Sequence, residues 1–406
     1  MSDQQLQVIA PDPRVHRDTL IDLVAKCFAD ETWGYYELRE ACRRVYVRHS
    51  HYDWEASRIG LLGDRLVAHF GVWKYQMRIG AARVQVGGVG AVATDGDFRK
   101  RGYMDLTTRA SLDAMWSLGY DMTILFGVDH LYHRYGYVRA WTNTNYFVPT
   151  GDLPKEPPDG RVQRFAVRPR PDLAALYNVC YAEATGTAVR PTFLRADPSW
   201  QGNTEGYLWK RDGAPAGYVF LTRRGNQLRC IEYVGDATQA LRVVAALARK
   251  WNCAEVQFET IPPNSELVTL LCRGTCRSES HYRRNGGSLV RLVNLASTLQ
   301  KMEGELSHRL QASPLAGWRG EFALSGSREQ ATLTIGDGRV IASARECRSP
   351  KHAIRGGDEL VQLLLGTDDP AEVIAAGGME ATGDAARLAE VLFPARQPQL
   401  SRLDRF

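Results

Sequence analysis

Three cations, Arg99, Lys100 and Arg101, stand together ahead of Gly102, and helical periodicity begins directly after them. Met104, Leu106, Ala110, Leu112, Met115 and Leu118 fall mostly on one face of a helix from Tyr103 to about Leu118, and Gly119 is a natural stop. The first N–H groups of a helix have no internal partners, and its dipole favours negative charge there. A basic turn leading into a helix N-terminus is therefore suited to an anion. Gly102 has no Cβ, so the backbone can come close to a pyrophosphate. Ahead of the turn, Val89 to Thr94 is a short apolar run suited to a buried strand.

Other residues suggest different chemistry. The stretch Asp30-Glu31-Thr32-Trp33-Gly34-Tyr35-Tyr36 is acidic and aromatic. Carboxylates beside aromatic faces suit a cationic amine through ion pairing and cation–π contact, which marks Asp30, Trp33 and Tyr36. Leu131-Tyr132-His133-Arg134-Tyr135-Gly136-Tyr137 predicts a short helix closing at Gly136, with His130 and His133 flanking Tyr132 as polar surface residues. Cys272 and Cys276 have no second ligand pair nearby, so no metal is expected. No G-x-S-x-G elbow or Ser-His-Asp set suggests a covalent intermediate.

The elements that must position these groups predict mixed sheets flanked by helices, an α/β or α+β chain. Asp18–Phe28 has helical periodicity. Residues 57–74 and 76–85 read as paired strands leading into the Val89 strand, and 122–126 as another strand. The Pro/Gly/Asp-rich passage 149–161 is the best linker. Beyond it the pattern repeats: a helix at 170–182, strands at 206–209, 216–223 and 228–234, a helix at 237–251, a strand at 255–260 and a helix at 265–271. No R-x-x-G-x-G loop lies between Val234 and Gln239, so this repeat is expected to be structural. The last section predicts a helix over 289–302, strands at 320–325, 330–335 and 339–343, and helices at 359–365, 370–376 and 384–392. The expected division is 1–150, 151–287 and 288–406.

Composition fits a multidomain enzyme. Of 406 residues, 44% are hydrophobic and 24% charged, enough apolar content for a sizeable core. A net charge of +5 is small for this length and argues against a dedicated nucleic-acid binder. No apolar run approaches the roughly 20 residues needed to span a bilayer, and Met1-Ser2-Asp3-Gln4 begins no signal peptide, so the cytoplasm is the expected location.

The segment from Val89 to Tyr137 resembles the acyl-CoA-binding core of the GNAT acetyltransferase superfamily. That pattern is a strand, an R/Q-x-x-G-x-G/A loop, a helix, a strand, then a Tyr-bearing helix closing on aromatic-Gly-aromatic. Arg99, Gly102 and the Tyr132/Gly136/Tyr137 group match it, while Met104 stands where Gly or Ala is usual. The G-D-A-A-R-L-A-E-V-L-F-P run resembles a sterol carrier protein-like domain. Two GNAT-like domains followed by that domain resemble the Eis-type (enhanced intracellular survival) acetyltransferases over essentially the whole chain. The resemblance implies acetylation of primary amines, of aminoglycoside or lysine type, with acetyl-CoA as co-substrate and no metal. It also implies a homo-oligomer, a hexamer by that resemblance.

The resemblance further implies that Tyr132 is the general acid that protonates the departing thiolate. The α-carboxylate of Phe406 would face the amine with its aromatic ring as an anchor. An alkylammonium with a pKa near ~10 must lose a proton before attack, and a carboxylate at ~3.5 is a weak base unless burial or a water relay helps. Val92, Ala93 and Thr94 would offer backbone N–H groups to the pantetheine arm and the oxyanion, with Arg99, Lys100, Arg101, Gly102, Tyr103 and Met104 at the phosphates. Two other classes stay open: a lipid- or sterol-binding protein with a degenerate acyltransferase domain, and a protein-tail acetyltransferase or scaffold.

Overall fold

The computed structural model describes residues 5–31, 33–47, 51–128, 130–166, 170–191, 204–281 and 287–406. The readings made on residues 1–4 and on Thr32 lie outside them. The chain begins with strand β1 (Gln7–Ile9) and helices α1 (Arg17–Phe28) and α2 (Tyr35–Val47). α1 buries Leu20, Ile21, Leu23, Val24 and Ala25, as its periodicity predicts. α2 is a helix the sequence reading does not anticipate. It is tied to α1 by Tyr35 and Arg39, which both donate to Asp22.

The expected strand pair at 57–74 and 76–85 is corrected to a three-strand meander: β2 (Arg58–Leu62), β3 (Arg65–Ile79) and β4 (Ala82–Thr94). The breaks fall next to Gly63 and Gly80, both at φ 57°, where glycine turns without strain. Then follow α3 (Tyr103–Ser117), β5 (Met122–Gly127), β6 (Val138–Trp141) and β7 (Asn143–Pro149). The helix expected at 131–137 is a single 3-10 turn, His133–Tyr135, closed by Gly136 at φ 82°.

The middle section contains β8 (Val162–Phe165), α4 (Pro171–Cys180), β9 (Thr204–Arg211), β10 (Ala214–Arg224), β11 (Gln227–Gly235), α5 (Ala237–Lys250), β12 (Glu255–Glu259), α6 (Glu266–Leu271), β13 (Arg277–His281) and β14 (Gly287–Leu292). The last section contains α7 (Leu295–Gln311), β15 (Gly320–Ser325), β16 (Gln330–Gly336), β17 (Arg339–Ser343), β18 (His352–Arg355), α8 (Leu360–Leu365), α9 (Pro370–Ala376), β19 (Glu380–Thr382) and α10 (Ala385–Leu392). The helix predicted over 289–302 is corrected here. Its first residues form β14, and the helix starts at Leu295 after Asn294, whose side chain caps the Ser297 N–H.

Among the described residues three sheets result: β1-β2-β3-β4-β5-β14-β6, β13-β7-β12-β11-β10-β9-β8, and β17-β16-β15-β18-β19. The first two exchange strands. β7 leaves the first section to pair with β12 and β13, and β14 returns from the second to lie between β5 and β6. One apolar core joins the first sheet to the last section, packing Met77, Val84, Val86 and Met122 with Leu299, Met302, Phe322 and Leu364. Among the described residues no helix is long and apolar enough to cross a membrane.

Candidate active site

The site begins where two parallel strands stop pairing. β4 and β5 are joined from Val86↔Met122 to Val89↔Leu125, after which β4 continues to Thr94 and β5 to Gly127. A cavity of ≈ 740 Å³ lies at this divergence, and Val92, Ala93 and Thr94 line it. The divergence coincides with a bulge. Pairing with β3 jumps from His69↔Ala93 to Gly71↔Gly90, leaving one extra residue on β4, and Ala91 sits at φ 48°. His69 holds the bulge. Its Nδ1 lies 2.8 Å from the Ala91 carbonyl oxygen and its Nε2 2.8 Å from Tyr52 Oη. A carbonyl only accepts, so Nδ1 carries the hydrogen and Nε2 accepts from Tyr52. Burial lowers the His69 pKa to about 4, which keeps the ring neutral.

At one end of the cavity is the basic turn. Gly102 caps α3 at φ 79° with no side chain, and the space where a Cβ would project is open. The first bond of the helix runs from Leu106 N to Gly102 O at 3.1 Å, leaving the first-turn N–H groups to an outside acceptor. Arg99, Lys100, Tyr103 and Met104 line the cavity with Gly102, whereas Arg101 does not and instead packs over the Phe98 ring at 5.2 Å. Met104 also packs against the core that contains Leu112, which lets the helix carry a long side chain where a small residue is usual. Asp95 anchors the turn: despite the opposing effect of burial, Arg65 and Lys26 hold its carboxyl below the usual range.

At the other end are Tyr132 and Phe406. Tyr132 is 6% exposed, and burial pushes its phenol up to about 12. It is therefore a neutral proton donor throughout the physiological range. The Phe406 ring lies 5.6 Å from Phe126 and 5.9 Å from Tyr75, centroid to centroid. A Cβ on Gly88 would collide with that ring, and one on Gly90 would lie 3.4 Å from the terminal carboxyl carbon. Two glycines of β4 thus make room for the last residue of the chain.

Asp30, Trp33 and Tyr36 do not line this cavity. Trp33 N donates to Asp30 Oδ1 at 2.8 Å in the turn after α1, and Tyr36 is 80% exposed on α2. Cys27 and Phe28, at the end of α1, do line it, as does Phe126. The sequence carries one signal for the approach of Phe406: Gly88 and Gly90 within a strand mark close approach by another group. His130 and His133 lie outside the lining, and Cys272 and Cys276 are free thiols. Among the described residues no group of three or more His, Cys, Asp or Glu side chains is placed to hold a metal.

Comparison with known proteins agrees with this geometry. Residues 15–140 match the acetyltransferase (GNAT) domain model. No curated protein matches the sequence significantly. Similar solved structures include a GCN5-related N-acetyltransferase from Anabaena variabilis, with TM-score 0.78 at 16% identity over 99% of this chain and 100% of that one. A probable N-acyltransferase from Enterococcus faecalis has TM-score 0.77 at 16% identity, covering 98% and 99%. Eis1 from Mycobacterium abscessus has TM-score 0.71 at 15% identity, covering 97% and 98%. At these identities the likenesses establish the fold. The likeness to an acetyltransferase (GNAT) domain in sequence spans residues 15–140.

Proposed function

We propose that the protein is an acetyl-CoA-dependent N-acetyltransferase that acetylates a primary amine of a small cationic acceptor, aminoglycoside- or lysine-like, by direct transfer. What carries the reading is that one cavity brings together a basic turn with an open helix N-terminus, a buried phenol and the terminal carboxylate. Arg99, Lys100 and the N–H groups after Gly102 would bind the pyrophosphate of acetyl-CoA. Backbone N–H groups of Val92, Ala93 and Thr94 at the bulge would take the pantetheine arm and the developing oxyanion.

In this mechanism the Phe406 carboxylate, directly or through water, accepts a proton from the ammonium. The amine nitrogen then attacks the thioester carbon, and the C–S bond breaks as Tyr132 gives its proton to the leaving sulfur; the proton the attached nitrogen sheds on becoming an amide returns through water to the Tyr132 phenolate, and the carboxylate passes its own proton to solvent. The phenol, at about 12, is the weaker acid, so it delivers its proton as charge builds on sulfur and not before. Asp30, Trp33 and Tyr36 belong to this proposal as outer contacts for the acceptor, since they do not line the cavity.

The division at 150 and 287, the sterol carrier protein-like nature of the last section and a hexameric assembly are parts of the same proposal. Light scattering that finds a monomer would remove the last. The test of function is CoA release from acetyl-CoA across aminoglycosides, polyamines, lysine and a Lys-rich peptide. Amine-dependent release supports the reading. Turnover of the peptide alone moves it to a protein-tail acetyltransferase, and absence of both turnover and acetyl-CoA binding rejects it.

A further inference from the structure

A second pair of strands diverges as β4 and β5 do. β11 and β12 run parallel from Gln227↔Glu255 to Cys230↔Phe258, and β11 then continues to Gly235 without its partner. The end of the chain crosses this divergence. Ser401 Oγ donates to Glu232 Oε2 on β11 at 2.5 Å, and Arg402 Nη1 lies 3.4 Å from Glu259 Oε2 at the end of β12. Between them Arg190 is fastened on two sides. Its Nη1 and Nη2 donate to Glu232 at 2.9 and 2.6 Å, and its Nε and Nη2 donate to Asp404 at 3.0 and 2.9 Å. The guanidinium lies 3.6 Å from the Tyr177 ring centroid, and the side chains of Arg190, Glu232 and Asp404 are 2%, 3% and 0% exposed.

An arginine between two buried carboxylates is a strong and directional tie, since each carboxylate loses its water and gains two charge-assisted bonds. Asp404 is two residues from Phe406, a reach of about 7 Å at full extension, so fixing one confines the other. Arg405 continues the path by donating to Asn143 Oδ1 at 3.1 Å and lying over Phe126 at 4.6 Å, beside the cavity. We infer that β11 and the segment carrying Arg190 form a clamp: Arg190 and Glu232 grip Asp404 and Ser401 at the counterpart of the cofactor opening, and so position the terminal carboxylate for proton transfer. Arg190, Glu232 and Asp404 are positioning residues, and their role rests on the proposed function of Phe406.

The test compares Asp404→Ala, Arg190→Lys and the isosteric Glu232→Gln with a chain lacking Phe406, each with CoA affinity and circular dichroism measured. The clamp predicts that Asp404→Ala lowers kcat about 100-fold, the scale of a misplaced catalytic group. KM for acetyl-CoA stays within about twofold, because the cofactor contacts are untouched. Arg190→Lys, which keeps the charge but loses the fork, recovers part of that loss. Wild-type kcat in folded Asp404→Ala and Glu232→Gln proteins, with the Phe406-deleted chain inactive, overturns the clamp alone. A parallel loss of CoA affinity and kcat also overturns it, by showing a general structural role. Full activity without Phe406 overturns the carboxylate reading beneath it.

Discussion

The β4/β5 and β11/β12 pairs each hold together for four residue pairs and then part, yet only one has the equipment of an anion site. After β4 the chain makes a basic turn and enters α3 through Gly102, which offers no capping side chain. After β11 it enters α5 through Asp236, whose carboxylate accepts from Gln239 N at 2.6 Å. A carboxylate at that position uses a free N–H group and repels a phosphate, so this helix N-terminus satisfies itself. The second divergence is crossed by the chain's own tail through Glu232 and Glu259. Backbone geometry alone therefore does not make a cofactor site. The residues between strand and helix decide what the opening takes.

The contrast can be broken or sharpened by substitution. The largest effect is expected at the reactive end of the first opening. Tyr132→Phe should lower kcat about 10²- to 10³-fold in CoA-release assays, the range for loss of a general acid. Because burial raises that phenol to about 12, the wild-type rate should not fall through Tyr132 ionisation as pH rises past ~10, where an exposed tyrosine would lose its proton.

Next is the anion end. Arg99→Ala combined with Lys100→Ala should raise KM for acetyl-CoA roughly tenfold, with a smaller penalty at high salt, as measured by steady-state kinetics. A smaller loss is expected at Gly88→Ala, where the new Cβ meets the Phe406 ring: kcat should drop by about fivefold, the cost of a moderate shift of the tail. The smallest effect belongs to the second opening. Asp236→Ala removes a cap and should cost about 1 kcal/mol, a few degrees in thermal melting, with kcat unchanged.

The sequence made the local part of this architecture readable. The basic turn, the helix after Gly102 and the amphipathic α5 are each written in a continuous stretch whose period matches its structure. Leu289–Leu292 reads as the start of a helix because a buried strand and a buried helix share an apolar run, and period cannot separate them. Only insertion between β5 and β6, residues far away in sequence, makes it a strand. α2 is not legible in its own stretch because the contacts that fix it, from Tyr35 and Arg39 to Asp22, lie on the preceding helix. The Arg190–Asp404 tie spans 214 residues and leaves no local pattern at all. The glycines at 88 and 90 record the approach of Phe406, though nothing nearby in the sequence names the partner.

The central claim is that one of the two openings takes the cofactor and that its open helix N-terminus is the reason. Isothermal titration of acetyl-CoA into the wild-type chain, Gly102→Asp and Asp236→Gly tests it directly. One acetyl-CoA should bind per wild-type chain, binding should be abolished or strongly weakened in Gly102→Asp, and Asp236→Gly should still bind one. Two molecules per wild-type chain, or undiminished affinity in Gly102→Asp, would contradict the account.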